Sequence, residues 1–199
     1  MLANEGKKID PRTMRTLKSL RAALRELLTE KEFSKITVQD ITERAGVNRA
    51  TFYDRFTDKY ALLNDSVREE FETRLHSRLP ETPMLTMDNL RILTLTVSEF
   101  LSGFLGHCAS PQPEDHFLMV RQVQNSANDA VLAWAKRSLP PGGRSSIVPE
   151  TIATVTSFAI FGAVMEWTQS GRKGSQEHLT EQVVTLLSTG IGVYLVAPA

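Results

Sequence analysis

The chain has 199 residues, 41% of them hydrophobic, and its 23 basic and 23 acidic residues leave a formal net charge of zero. A chain of this length forms one large domain or two small ones, and this apolar fraction is enough for a buried core. The single cysteine, Cys108, excludes an intrachain disulfide and a cysteine-based zinc site, so we expect a protein of the reducing cytoplasm.

The two ends of the chain differ in charge. Residues 1–65 contain 13 Lys and Arg against 10 Asp and Glu, whereas residues 66–199 contain 10 against 13. A basic first third and an acidic remainder are typical of a nucleic-acid-binding head on a body that does not bind nucleic acid. The polar residues 1–11 lack the apolar segment of a signal peptide. The uncharged run over residues 151–165 is short and polar for a spanning helix, so we predict a buried helix and no membrane partner.

Helical periodicity begins after a polar arm of about 12 residues, which we expect to be disordered. A first helix is predicted from about Thr13 to Glu30, with leucines spaced by three and four residues on one face. These leucines are Leu17, Leu20, Leu24, Leu27 and Leu28. Phe33 and Ile36 in the following connector are expected to complete the core of a small three-helix head.

Residues 37–63 are predicted to form two short helices joined by a glycine turn, followed by the start of a longer helix. Thr37 is a good N-cap, and Gly46 stands where a helix needs a left-handed residue to end. Asn48 caps the second helix, in which Phe52 and Phe56 form an apolar i, i+4 pair. This is the layout of a helix-turn-helix DNA reader.

At these residues the chain resembles the DNA-binding region of the tetracycline-repressor (TetR) family of bacterial regulators. The matched positions, all in one register, are Thr37, Val38, Ala45, Gly46, Val47, Asn48, Phe52, Tyr53, Phe56, Lys59, Leu62 and Leu63. The resemblance implies a transcriptional regulator without a cofactor. Its expected partners are double-stranded DNA with a palindromic operator, a second copy of the chain and an unknown small-molecule effector.

Base contacts are expected from residues at the start of the two short helices. Arg49 can donate two hydrogen bonds to guanine, Ala50 or the Thr51 methyl can contact a thymine methyl, and Gln39 can pair with an adenine edge. By resemblance, Asp54 also matches a base-facing position. Its carboxylate either accepts a hydrogen bond from cytosine or orients a neighbouring arginine.

Phosphate contacts are expected from hydroxyls, cations and helix N-termini. Thr37, Tyr53 and Lys59 match phosphate-contacting positions of the resembled family. Arg55 stands where that family often has histidine, and it can also bind a phosphate. Asn48 is counted with the DNA-binding residues as the cap of the reading helix.

The rest of the chain is helical by pattern. Thr57 is predicted to cap a fourth helix that runs to about His76 and links the head to the body. Further helices are expected over about 86–107, 114–138, 149–170 and 177–196, separated by proline- or glycine-containing breaks. We therefore predict an all-α protein of eight or nine helices. A helix-turn-helix head occupies residues 1–60, and an effector-binding and dimerisation body occupies residues 61–199.

The helix over residues 150–171 is apolar nearly all round, so it must be covered on every side. A second copy of the chain covers it most easily, and the alternative is a helix fully buried in a monomer. By resemblance, the last two helices of two subunits form a four-helix bundle.

A ligand pocket is expected between the body helices. Its candidate lining residues are Phe71, Phe100, Phe104, His107, Phe117, Met119, Trp134, Met165, Glu166 and Trp167. Glu166, the one acid in a long apolar stretch, is either a polar contact for the ligand or a solvated residue at the helix end.

Two alternatives to a ligand-controlled regulator remain from the sequence. One is a TetR-like regulator controlled by a protein partner. The other is a small helical enzyme that uses Cys108 with His107 or His116. Side chains at adjacent helical positions point about 100° apart, so residues 107 and 108 form a poor nucleophile–base pair. We therefore predict no catalytic residues and no metal site.

Overall fold

The computed structural model describes residues 10–107, 113–138, 147–171 and 174–191, and all regular structure within them is helical. The helices are α1 (Pro11–Glu30), α2 (Val38–Ala45), α3 (Arg49–Tyr53), α4 (Lys59–His76), α5 (Met87–His107), α6 (Pro113–Ser138), α7 (Pro149–Gln169) and α8 (Gln176–Ile191), with a 3-10 turn at Phe33–Lys35. The predicted all-α class with eight or nine helices is confirmed. The predicted N-terminal arm lies almost wholly outside the described residues.

The chain forms two compact units. The first comprises Met1–Ser66 with Cys108–Phe117, and the second comprises Val67–His107 with Leu118–Ala199. Helix α4 contributes its first two turns to the first unit and the rest of its length to the second. The division at residue 60 that we expected from the sequence stays a prediction.

Helix α1 begins two residues earlier than predicted. The carboxylate of Asp10 accepts a hydrogen bond from the backbone N–H of Arg12 at 2.9 Å and caps the helix. Pro11 occupies the first helical position, where its missing N–H costs nothing and its fixed φ favours the helix. The predicted start at Thr13 was wrong because the Asp10–Pro11 pair, a strong start signal, already begins the helix at Pro11.

The N-cap of α4 also differs from the prediction. The carboxylate of Asp58, not the hydroxyl of Thr57, accepts a hydrogen bond from the backbone N–H of Ala61, at 2.8 Å. The helix therefore begins at Lys59. Both residue types cap helices well, so the pattern alone could not choose between neighbours.

The head has a small aromatic and aliphatic core. Its fully or nearly buried side chains come from α1, the 3-10 turn, α2, α3 and the start of α4. They are Leu20, Leu24, Leu27, Phe33, Ile36, Ile41, Phe52, Phe56, Leu62 and Leu63. Phe52 and Phe56 contact each other as predicted, with ring centroids 5.8 Å apart. Burial of each side chain of this kind stabilises the folded head by about 1.5–3 kcal/mol. Because short helices are not stable alone in water, the helices of the head are stable only when packed together.

The body packs α5 against both α7 and α8, which also pack on each other. Apolar side chains on all three helices are buried, among them Leu93 and Val97 on α5 and Ile160 on α7. Polar contacts also link the helices of this unit. The amide of Gln124 on α6 donates to the hydroxyl of Ser157 on α7 at 3.3 Å.

Helix α7 is not buried on all sides within a single chain. It is long and apolar enough to span a membrane, and 33% of that segment is buried. Val155 is 56% exposed and Phe158 is 60% exposed, and on α8 Leu186 is 73% exposed. The alternative of a helix fully buried in a monomer is therefore wrong, and the expected covering by a second copy stays a prediction.

Candidate nucleic-acid interface

Helix α2 begins with a reciprocal cap. The hydroxyl of Thr37 accepts the backbone N–H of Asp40 at 3.1 Å, and the carboxylate of Asp40 accepts the backbone N–H of Thr37 at 2.8 Å. The Thr37 hydroxyl also donates to this carboxylate at 2.9 Å. The predicted cap is confirmed, and a Thr37 hydroxyl that donates to phosphate must first leave Asp40.

The carboxylate of Asp40 is stabilised in its charged form. A hydrogen bond from the Lys31 ammonium, with those from Thr37, lowers the pKa of Asp40 to about 2. The ordinary pKa is 3.8, so the folded head prefers the ionised group. The capping interaction therefore contributes its full stability above about pH 4 and loses it as the pH falls through about 2.

The turn between α2 and α3 depends on Gly46. This residue has φ 67° and ψ 33°, the left-handed conformation predicted for the end of α2. An added Cβ would meet no atom within 4 Å, so the position is restricted by backbone conformation and not by space. The angle between α2 and α3 therefore rests on a residue without a side chain.

Replacing Gly46 by alanine should lower the free energy of unfolding of the head by about 1 kcal/mol, because L-residues are strained at positive φ. Gly46→Asn is the matched control and should cost less, since asparagine tolerates this conformation. Amide hydrogen exchange in α2 and α3 measures the effect. If the amides of α2 and α3 lose the same protection in both variants, the cost of replacing Gly46 is not purely conformational.

Helix α3 is held by its cap and by its buried face. The Asn48 side-chain oxygen accepts the backbone N–H of Thr51 at 2.7 Å and the Thr51 hydroxyl at 2.8 Å. Phe52 is fully buried below. The predicted cap is confirmed, and the Thr51 hydroxyl is engaged, which leaves its methyl group as the group available for a base.

The predicted base-facing residues share one exposed surface. Gln39, Asn48, Arg49, Ala50, Tyr53, Asp54 and Arg55 are all exposed, and Tyr53 has half of its area in solvent. Within the described residues, Arg49 and Asp54 have neither an ion-pair nor a hydrogen-bond partner through their side chains. The expected alternative that Asp54 orients a neighbouring arginine is therefore not observed.

Two of these side chains have intramolecular partners. Gln39 donates to the carboxylate of Glu43 at 2.8 Å, and Arg55 donates to the hydroxyl of Thr13 at 2.9 Å. The second bond places the first turn of α1 beside the end of α3. Arg12 and Arg15, exposed at this end of α1, are therefore additional candidates for phosphate contact. The signal missed in the sequence was their basic i, i+3 spacing at a capped helix start.

Lys59, predicted to contact phosphate, is bound within the head. Its ammonium donates to the backbone carbonyls of Phe33, Ser34 and Ile36 at 2.9, 3.0 and 2.8 Å. It also lies 4.7 Å from the centroid of the Phe33 ring. An ammonium has three donors, so these carbonyls use all of them. Lys59 therefore caps the 3-10 turn and fixes the start of α4 to it, and the predicted phosphate contact stays a prediction.

Two other arginines of the head are already paired. Arg44 contacts Glu30 through two hydrogen bonds of 2.8 and 2.9 Å, which raises the pKa of Arg44 and lowers that of Glu30. Arg21 and Asp65 form a largely buried pair at 2.7 Å. Arg49 therefore differs from these arginines in being available for a ligand at the surface of α3.

Comparison with known proteins agrees with this geometry. Residues 20–65 match the family model of bacterial regulatory proteins of the tetR family. Residues 20–65 thus form a DNA-binding segment of the tetR type. Helix-turn-helix-type transcriptional regulators of this family bind DNA, and the surface around α3 corresponds to the matched segment.

Two relatives are similar to part of this chain. The helix-turn-helix-type transcriptional regulator YxbF of Bacillus subtilis (strain 168) is 40% identical over 63 residues, 31% of this chain and 17% of YxbF. YdeS of the same strain, also such a regulator, is 36% identical over 84 residues, 42% of this chain and 41% of YdeS. The chain thus matches less than half the length of either relative.

The fold as a whole resembles solved TetR structures. A TetR transcriptional regulator from Rhodococcus sp. RHA1 superposes with a TM-score of 0.56 at 18% identity, covering 90% of this chain and 98% of the other. At this identity the likeness concerns the fold alone. The chain therefore combines a tetR-type DNA-binding segment with the helical fold of a TetR regulator.

The predicted ligand-pocket residues do not form one group in the described structure. Phe71, Phe100, Met119 and Trp134 are buried, and the rings of Phe71 and Phe100 pack edge to face at 5.8 Å. Met165 and Trp167 are half-buried, and Glu166 is exposed. The side chains of Phe104, His107 and Phe117 lie outside the described residues, as does Cys108. Within the described chain, no cluster of three or more His, Cys, Asp or Glu is arranged for a metal ion.

Proposed function

We propose that this TetR-family protein is a homodimeric repressor that binds a palindromic operator and is released by a small molecule bound to its body. The observation that carries the proposal is the exposed surface of α3 above the buried Phe52, with the unpaired Arg49 at its start. A rigid helix that presents a short side chain and a donor pair at its N-terminal end suits the major groove.

The proposed dimer uses the exposed faces of α7 and α8. Phe158 on α7 and Leu186 on α8 expose more than half of their area, and the neighbouring positions Ala159 and Gly162 are small and exposed. Small residues allow two helices to approach closely, and large ones fill the space between them. A twofold pair of α7–α8 units forms a four-helix bundle and carries two reading heads, which matches a palindromic site.

The proposed switch uses α4, which is continuous from the head unit into the body unit. A ligand that binds the body and displaces the second half of this helix changes the spacing of the two heads. The coupling must be reciprocal, so operator DNA weakens ligand binding by the factor by which ligand weakens DNA binding. In cells, deleting the protein should raise transcription from a promoter that overlaps the selected operator, whereas a fall would contradict repression.

Replacing Arg49 by alanine should relax the preference at one base pair in each half-site and weaken binding to the preferred sequence by about 1–3 kcal/mol. The measurement is sequencing of fragments selected from random DNA, followed by titration of the preferred and the altered operator. Arg25→Ala removes the same charge from an exposed position on α1 and is the matched control. A uniform loss of affinity across all sequences in Arg49→Ala would exclude a base contact.

A further inference from the structure

A cleft of about 320 Å³ lies between the C-terminal turns of α4 and the second half of α6, within the second unit. We call it the α4–α6 cleft. Leu75 and Trp134 line it, although each is only 2% exposed, so its wall is apolar and aromatic. Its size is within the range of sites that take small organic molecules.

The charged residues of the α4–α6 cleft are mostly acidic. Glu72, Glu81 and Asp129 contribute carboxylates, and the structure gives none of them an ion-pair or hydrogen-bond partner among the residues it describes. Arg137 is also on the wall, but its guanidinium donates to the carbonyl of Pro83 at 3.1 Å. His76 completes the polar lining. The carboxylates therefore have no cation committed to them.

Neighbouring cations do not neutralise these acids because they are bound elsewhere. Arg74 pairs with Glu70 at 2.6 Å, and Arg78 pairs with Glu99 at 2.6 Å. Three carboxylates against the one guanidinium of Arg137 leave the wall of this apolar cleft with an excess of negative charge, which attracts a positively charged ligand. An indole such as that of Trp134 is also the best aromatic partner for a cation.

We propose that the α4–α6 cleft is a binding site for a small organic ammonium ion with an apolar body. The buried leucine and tryptophan suit such a body, which a bare metal ion lacks. The carboxylate of Glu72 is the principal counter-ion, because it is half-buried whereas Glu81 and Asp129 are exposed. Lower exposure means less screening by water, so this charge interacts most strongly.

The inference names the chemical class of the effector and therefore rests on the proposed function. Its test contains no DNA, so the two proposals fail separately. A protein that binds DNA but no ammonium ion loses only the inference, and one that binds the ammonium ion but no DNA loses only the proposed function.

The test compares two probes of similar shape, 2-phenylethylamine and 2-phenylethanol, by titration calorimetry with the full chain. The ammonium form should bind at least about tenfold more tightly than the alcohol. Glu72→Gln should weaken the amine about fivefold and leave the alcohol unchanged. Glu177→Gln is the matched control, because it neutralises an exposed acid of α8 that does not line the cleft, and it should change neither affinity.

The site of binding has its own measurement. The chain has two tryptophans, so a Trp167→Phe variant leaves Trp134 as the sole source of tryptophan emission. This emission should change as amine is added, with the dissociation constant measured by calorimetry. Equal affinity for the two probes, absence of amine binding in the millimolar range, or an effect of Glu177→Gln in place of Glu72→Gln would each overturn the inference.

Discussion

Replacing Phe158 by glutamate should turn the proposed dimer into a monomer. The side chain is 60% exposed on α7 in the single chain, and the proposed bundle covers it. Loss of a central aromatic contact costs on the order of 2 kcal/mol, and a twofold interface contains it twice. The dimer dissociation constant should therefore rise about a thousandfold. The charge of an uncompensated carboxylate adds to this cost.

Light scattering and operator titration measure the consequence together. Phe158→Glu should give a monomer in light scattering at micromolar concentration and lose the affinity that comes from occupying both half-sites. Thr73→Glu adds the same charge at an exposed position of α4 and should remain dimeric. If Phe158→Glu stays a dimer with full operator affinity, the α7–α8 face is not the subunit interface.

Replacing Lys59 by methionine should destabilise the head by about 2–3 kcal/mol. Methionine keeps the length of the stem but removes the ammonium that the carbonyls of Phe33, Ser34 and Ile36 share. Hydrogen bonds to a charged group contribute about 1.5–3 kcal/mol, and the exposed part of the site lets water replace some of them. The 3-10 turn and the start of α4 then lose their connection.

The same variant distinguishes a structural lysine from a phosphate-binding one. Hydrogen exchange in α2 and α3 should become faster. This readout reports on the head, whereas tryptophan fluorescence does not, because both tryptophans lie in the other unit. The salt dependence of operator binding should keep its slope. A slope smaller by about one, with unchanged exchange rates, would instead establish the phosphate contact. Lys18→Met, at an exposed position of α1, is the control.

The sequence determined those features whose partners lie within four residues. The caps by Thr37 and Asn48 and the left-handed Gly46 were predicted correctly, because each depends on the local backbone. The same holds for the all-α class, which follows from the spacing of apolar residues. Errors in local detail arose where two good capping residues are neighbours, as at Thr57 and Asp58.

The sequence also predicted which residues could form an exposed reading surface, since buried and exposed positions alternate with the helical period. It did not predict the contacts that the side chains of the head make with distant residues. Arg55 bonds to Thr13, 42 positions away, and Lys59 bonds to carbonyls 23 to 26 positions away. No local pattern encodes such partners, because they depend on how α1, the 3-10 turn and α4 pack.

The sequence predicted the structure of the body less completely than that of the head. A helix that is apolar nearly all round, such as α7, has the same pattern whether its own chain or a second copy covers it. Only the tertiary structure decided that Val155 and Phe158 remain uncovered within one chain. It also decided that Glu72 and Trp134 share a cleft while Glu166 is exposed elsewhere, because a cavity forms between helices that the sequence does not place side by side.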